Sequence, residues 1–286
     1  MIRSGKRFAA LLLAGLMLLL SGCGALRSVR EAQLRKAAEA TAVPTESAAP
    51  DESAAPSEAP SAEPAPVPAQ SSGAGHIVCI DPGHQRYGSN TPEPIGPGAA
   101  QTKARVTGGT QGRFTGVTEY ELNLAVSLLL RDILTQRGYT VVMTRETNDV
   151  DISNAERAAI AQNANAEVFV RIHANGSEDP GHSGAMTICM TPQNPYNAAL
   201  YPASRALSGC ILDALVSATG CNREYVWETD TMSGVNWAAM PVTIVEMGYM
   251  TNETEDRLLA TDDYRARVAE GIANGIDAYF AQAKEG

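Results

Sequence analysis

Histidine is scarce in this chain, with four among 286 residues. A histidine that falls at the end of a strand-like run therefore calls for an explanation. Cysteine is almost as sparse, five in all, and no Cys-x-x-Cys pair occurs, which excludes the usual thiolate metal sites. Cys79 and Cys189 lie inside apolar strand-like runs, where cysteine serves as a small hydrophobe. Cys210 and Cys221 bracket a helical pattern, and eleven helical residues separate Cα atoms by about 16 Å, beyond disulfide reach. All four are read as structural thiols. Positive charge is also in deficit: 22 Lys and Arg stand against 32 Asp and Glu, a formal charge of −10. That balance argues against a nucleic-acid partner, which needs a basic face, and suits a soluble surface.

Long hydrophobic runs are missing, and the one apolar run at the start is short. Arg3, Lys6 and Arg7 precede the stretch from Phe8 to Leu20, which is too short to span a bilayer stably and has the charge and length of an export signal. It ends in "LLSGC", which resembles the lipobox of bacterial lipoproteins, in which the cysteine is lipidated and becomes the mature N-terminus. The resemblance implies a signal peptide over 1–22, lipidation of Cys23, and an exported protein anchored by its lipid to the outer face of the membrane. Residues 25–42 have a helix-forming, modestly basic composition and read as a solvated spacer. From Val43 to Gly75 the chain is almost all Ala, Pro, Ser and Glu, and cannot bury enough apolar surface to offset ordering entropy. The segment 23–75 is thus expected to be a disordered tether, reaching on the order of 40 Å as a coil and up to about 150 Å if proline stiffens it.

The remainder of the chain, residues 76–286, suits one α/β domain with a sizeable core. Strand-like runs at Ile77–Ile80, Thr140–Thr144, Val168–Ile172, Ala185–Met190 and Val242–Val245 alternate with helical patterns. The alternation predicts a single three-layer domain, a mainly parallel twisted sheet flanked by helices. "TEYE" at 118–121 and "SNAE" at 153–156 match the capping-box pattern and predict helices over about Glu119–Arg137, stopped by Gly138, and Asn154–Asn165. Further helices are expected near Ala198–Ala218, Glu253–Ala260 and Tyr264–Ala281. The Gly- and Pro-rich stretch 85–117 reads as a long loop, a lid or wall of a binding groove.

In a parallel sheet, ligands bind beyond the carboxyl ends of the strands. His84 follows the first strand in "IVCIDPGHQ", His173 ends another in "VFVRIHAN", and Glu246 ends a third in "PVTIVEMGY". Three titrating or coordinating groups therefore converge on one rim. A catalytic zinc takes three protein ligands and leaves a position for water, and two histidines with one carboxylate are a standard set. Glu119 and Glu121 are both placed to complete it. If Glu121 reaches back to the Thr118 backbone in the capping box, it is occupied. Glu119 opens the stripe Leu122, Val126, Leu130, Ile133 that must pack on the sheet, and so points inward. Asp81 is a candidate to orient His84, though Asp before Pro-Gly is equally a turn former. Arg171 and Asn175 are candidate groove residues. His76 and His182 are read as outside the site.

The motifs "IDPGH", "TEYELNL", "RIHAN" and "VEMGYMTN", in this order and spacing, resemble the zinc-dependent N-acetylmuramoyl-L-alanine amidases (amidase type 3), which cut the sugar–stem peptide bond of bacterial peptidoglycan. The resemblance runs from His76 to Phe280. Carried over position by position, it implies one zinc per domain held by His84, Glu119 and His173, and a catalytic glutamate at Glu246. It implies peptidoglycan as substrate; the lipid anchor read above makes the membrane the other partner, and a monomer is expected, with the oligomeric state left open. Two features depart from the family pattern: Arg171, where a small residue is common, and the length of 85–117. A zinc peptidase acting within the stem peptide, or a non-catalytic lipoprotein that holds peptidoglycan, are the alternatives.

Overall fold

The structure, a computed structural model, describes residues 73–283. The expected signal 1–22, Cys23, and all but the last three residues of the 23–75 tether lie outside that range. Gly73 is already joined to the domain, its amide donating to the Arg137 carbonyl at 3.0 Å.

The strands are β1 (Ile77–Pro82), β2 (Ser89–Pro94), β3 (Thr102–Val106), β4 (Thr140–Met143), β5 (Val168–Asn175), β6 (Ala185–Cys189), β7 (Arg223–Glu228) and β8 (Val242–Tyr249). Six of them form one sheet in the order β4-β1-β5-β8-β6-β7. All neighbours run parallel except β6 and β8, which are antiparallel, so the sheet is mixed but mostly parallel. The helices are α1 (Glu119–Gln136), α2 (Asn154–Asn163), α3 (Tyr201–Thr219), α4 (Ser233–Asn236), α5 (Glu253–Leu259) and α6 (Asp262–Ala283). The period-two alternation of the strands builds the layers. Val78, Ile80, Val170 and Val245 face a cluster with α1, α3 and α6, while Cys79, Phe169 and Ile244 face a second cluster with α2 and α4. Helices thus cover both faces, the three-layer α/β arrangement expected from the alternation of elements. Among the described residues, no helix is long and apolar enough to cross a membrane.

Local chemistry accounts for the helix starts in different ways. At Ser153 the reciprocal capping box forms in full: Ser153 Oγ accepts the Glu156 amide at 3.2 Å and Glu156 Oε2 accepts the Ser153 amide at 2.6 Å. At Thr118 it does not. The Thr118 backbone pairs with Gln111 in an isolated bridge, and its hydroxyl donates to the Glu121 carboxylate instead of capping the helix. Gly138, at φ 89, adopts the left-handed conformation that ends α1.

The stretch 85–117 is not one long loop. It carries the antiparallel β2–β3 hairpin, pinned to the 230s by Trp237 Nε1 donating to the Pro94 carbonyl at 2.9 Å, Asn236 Nδ2 to the Ile95 carbonyl at 3.0 Å, and Lys103 Nζ to the Thr231 carbonyl at 2.8 Å. Anchored in this way, it is a wall. Strand β7 and helix α4 are further elements that the sequence pattern does not announce. Cys79, Cys189, Cys210 and Cys221 are all free, and burial pushes the Cys79 and Cys189 thiols up, which keeps them inert.

Candidate metal centre

The chain leaves β1 through Gly83 and places His84 in the left-handed region at φ 59. A Cβ on Gly83 would lie 2.3 Å from the His173 ring, so glycine is required for that ring to lie where it does. Buried Arg145 braces this exit. Its guanidinium donates to the carbonyls of Pro82 at 2.8 Å, Gly83 at 3.0 Å and, from the first turn of α1, Tyr120 at 2.9 Å. Glu119, the first residue of α1, thereby stands beside His84. His84 Nε2 and His173 Nδ1 each lie 3.1 Å from the same oxygen, Glu119 Oε1. Ligand atoms of all three residues fall within 4.8 Å of one another, a group able to hold a metal ion. The other carboxylate oxygen, Oε2, accepts the Thr110 amide at 2.8 Å, and Asn123, one turn along α1, donates to Oε1 at 3.3 Å.

The donor set fits a cation. His84 Nδ1 lies 2.9 Å from the Thr107 carbonyl, an acceptor only, and this contact assigns the ring proton to Nδ1. In the neutral ring Nε2 then carries a lone pair and faces the Glu119 carboxylate, so two electron-rich atoms 3.1 Å apart need a positive charge between them. Two ligands on a tetrahedral zinc are about 3.3 Å apart, close to that spacing. Burial pushes His173 down to about 4, which leaves it neutral with a lone pair available. Burial would raise Glu119, but the His173 and His84 rings beside it outweigh burial and hold the carboxyl well below the usual range. Glu246 sits directly opposite His173 in the β5–β8 register. Both residues therefore lie within strands, since β5 and β8 extend past the expected ends at Ile172 and Val245. Burial, and then the Glu119 charge, push Glu246 up to about 8, and its Oε2 is buried with no hydrogen-bond partner. A cavity of about 470 Å³ opens here, lined by His84, His173, Glu246, Arg171, Lys103 and Gly234 among others.

The N-acetylmuramoyl-L-alanine amidase family matches residues 78–278 of this chain. The chain belongs to that family. The amidase AmiA of Salmonella typhimurium is 25% identical over 250 residues, covering 74% of this chain and 78% of its own. The uncharacterized protein YqiI of Bacillus subtilis is 32% identical over 167 residues, 58% of this chain and 77% of its own. Among solved structures, the N-acetylmuramyl-L-alanine amidase Ami1 of Mycobacterium smegmatis superposes with a TM-score of 0.65 at 28% identity, over 73% of this chain and 98% of that one. Membership makes the protein a hydrolase of an amide bond.

The fold places Asp81 and Asn175 differently from expectation. Asp81 does not orient His84. It is fully buried and engaged by Thr144 Oγ1, Arg157 Nη1 at 2.7 Å and Arg171 Nε at 2.7 Å. Burial would raise its carboxyl, but the two guanidinium groups hold it well below the ordinary value. Removing one partner from such a buried set typically costs about 3–5 kcal/mol. Orientation of His84 falls to Thr107, whose carbonyl lies 2.9 Å and hydroxyl 3.0 Å from Nδ1, a partner no sequence pattern announces. Arg171 does line the cavity. Asn175 turns away: its Oδ1 accepts the Gly176 amide at 2.8 Å and its Nδ2 meets the Met186 sulfur at 3.7 Å. Asn123 could have been noticed as a polar residue four positions after Glu119 on an otherwise apolar stripe.

Proposed function

We propose that this amidase hydrolyses the bond between N-acetylmuramic acid and L-alanine in peptidoglycan, with His84, Glu119 and His173 holding one zinc and Glu246 moving the proton. The observation that carries the reading is the shared oxygen: two imidazole nitrogens, from distant parts of the chain, each 3.1 Å from Glu119 Oε1. When bound, zinc lowers the pKa of water towards about 7 and polarises a carbonyl. The chain's own residues do the rest. Thr107 fixes the His84 ring, so Nε2 presents its lone pair. The Thr110 amide and Asn123 hold the Glu119 carboxylate in place. Glu246, with an oxygen left without a partner, takes a proton from the attacking water and returns it to the departing alanine nitrogen. The β2–β3 wall and the α2 and α4 side of the sheet bound the cavity that receives the substrate. The test is mass spectrometry of purified peptidoglycan after digestion. Release of intact stem peptide with a free L-alanine amine is expected. Cleavage within the stem would replace this reading with a peptidase, and retention without cleavage would leave a binding protein.

The N-terminal region extends the proposal. With 1–22 removed as a signal and Cys23 lipidated, 23–75 would tether the catalytic domain 76–286 to the outer face of the membrane, within the envelope where its substrate lies. Cys23→Ala is expected to leave hydrolysis intact and to move the protein from the membrane to the soluble fraction. Fractionation with no such shift would remove the anchor.

A further inference from the structure

The cavity carries a positive charge that cutting an amide does not require. Besides His84, His173 and Glu246, its lining includes Lys103 and Arg171. Arg171 is the informative residue. Its side chain is only 4% exposed, yet the guanidinium is not fully bonded. Nε donates to Asp81 at 2.7 Å and Nη2 to Asn154 Oδ1 at 2.9 Å, while Nη1 makes no hydrogen bond within the described residues. A Cβ added to Gly234 would lie 1.2 Å from Nη1, so this edge of the guanidinium occupies space that only a glycine leaves, and both residues line the cavity.

Charge leads to the same place. Asp81 is one carboxylate shared between two buried guanidinium groups, those of Arg157 and Arg171, so the pair of arginines is only half neutralised by it. Arg171 borders the cavity, so the Nη1 edge left without a protein acceptor is open to it, and the strongest complement for a guanidinium N–H is an anionic oxygen. Lys103 adds a second positive charge from the β3 wall. Its Nζ is held by the Thr231 carbonyl at 2.8 Å, which uses one of its three protons.

Position then points to which anion. Arg171 lies two residues before His173 on the same face of β5, with Cα atoms about 7 Å apart, so it borders the candidate metal group on the same strand. In the stem peptide, the scissile nitrogen belongs to the first residue. The α-carboxyl carbon of the second, which is joined through its side chain, lies five bonds further on, about 6 Å in extended chain. That group occurs either as a free carboxylate or as its amide. We propose that Arg171 and Lys103, with Gly234 making room, form a carboxylate subsite that reads the second residue of the stem peptide and favours the free acid over the amide. This rests on the amidase reading above.

The test uses the full chain loaded with zinc and two synthetic N-acetylmuramoyl tripeptides that differ only in that carboxylate or carboxamide. The quantity read is the ratio of their kcat/KM values. The parent is expected to favour the acid by on the order of tenfold to a hundredfold, chiefly through KM, the scale of one hydrogen bond to a charged group. Lys103→Met and Gly234→Ala should each bring the ratio towards one, the latter by displacing the Arg171 guanidinium while Asp81 keeps Arg157 and Thr144 as partners. A merely structural role would lower both rates together and leave the ratio standing. Equal rates in the parent, or an unchanged ratio in both variants, would overturn the subsite. Cleavage of neither substrate would instead overturn the amidase reading itself. If Gly234→Ala fails to fold, the Lys103→Met ratio decides alone.

Discussion

Glu246→Gln is expected to lower kcat by about 10²- to 10⁴-fold while the protein still binds one zinc, the range that loss of a positioned general base covers. Glutamine keeps the shape of the side chain and its place opposite His173, so the three ligand atoms around Glu119 should not move. What disappears is the ability to take up and return a proton. The substitution should also stabilise the metal-free protein at neutral and higher pH. Glu246 is raised from 4.5 to about 8 by burial and by the Glu119 charge, so its ionised form is disfavoured in the folded state. A carboxyl whose folded pKa lies above its unfolded value makes folding progressively less favourable as pH rises between the two, and the neutral amide removes that dependence. Melting curves of the chelated parent and variant across this window would show it. Full activity in the variant would take the proton-transfer role from Glu246.

His173→Ala should abolish metal retention, with zinc falling from one per chain to less than about a tenth after gel filtration, and hydrolysis falling to background. Loss of a residue that only orients a ligand already weakens metal affinity about 10- to 100-fold, and loss of a ligand removes a bond as well. His173 is kept neutral by burial, so the alanine variant forfeits no ion pair. The ring is packed against Gly83 and beside the His84 ring, with centroids 4.8 Å apart, so some loss of packing accompanies the change without loss of the fold. Far-UV circular dichroism checks the fold and metal analysis checks the claim. One zinc per chain in the folded variant would remove His173 from the ligand set.

How far the sequence could be read depends on which residues carry their own pattern. The buried runs of β1, β5 and β8 are continuous apolar segments, and α1 shows its stripe, although Leu134 rather than Ile133 is the residue buried at its end. The β2 segment "SNTPEP" has two prolines and no alternation, because its pairing is supplied by β3 and by anchors from Trp237 and Asn236 far along the chain. Strand β7 is an edge strand, with Arg223, Tyr225 and Trp227 turned to solvent, and shows little of the apolar signal of a buried strand. That β6 runs against β8 leaves no mark in an apolar five-residue run. At the site, Glu119 is singled out in the sequence partly through a capping box at Thr118, and that box does not form. Glu119 nonetheless lies beside both imidazoles, because it opens the inward-facing stripe. Asp81 shows the opposite limit: its sequence neighbours suggest His84, while its partners Arg157 and Arg171 are set by tertiary packing alone.

The bracing guanidinium of Arg145 has a consequence for the order in which the centre is assembled. It joins the chain leaving β1 to the first turn of α1 through carbonyls on both, and those two segments carry His84 and Glu119. Folding by itself therefore sets His84 and Glu119 side by side, and an ion held there would arrive at little further loss of chain entropy. Small zinc modules behave otherwise, collapsing when the ion is stripped. This domain should tolerate repeated stripping and reloading of an ion as a folded body, with ion supply governing when it works and leaving its survival unaffected.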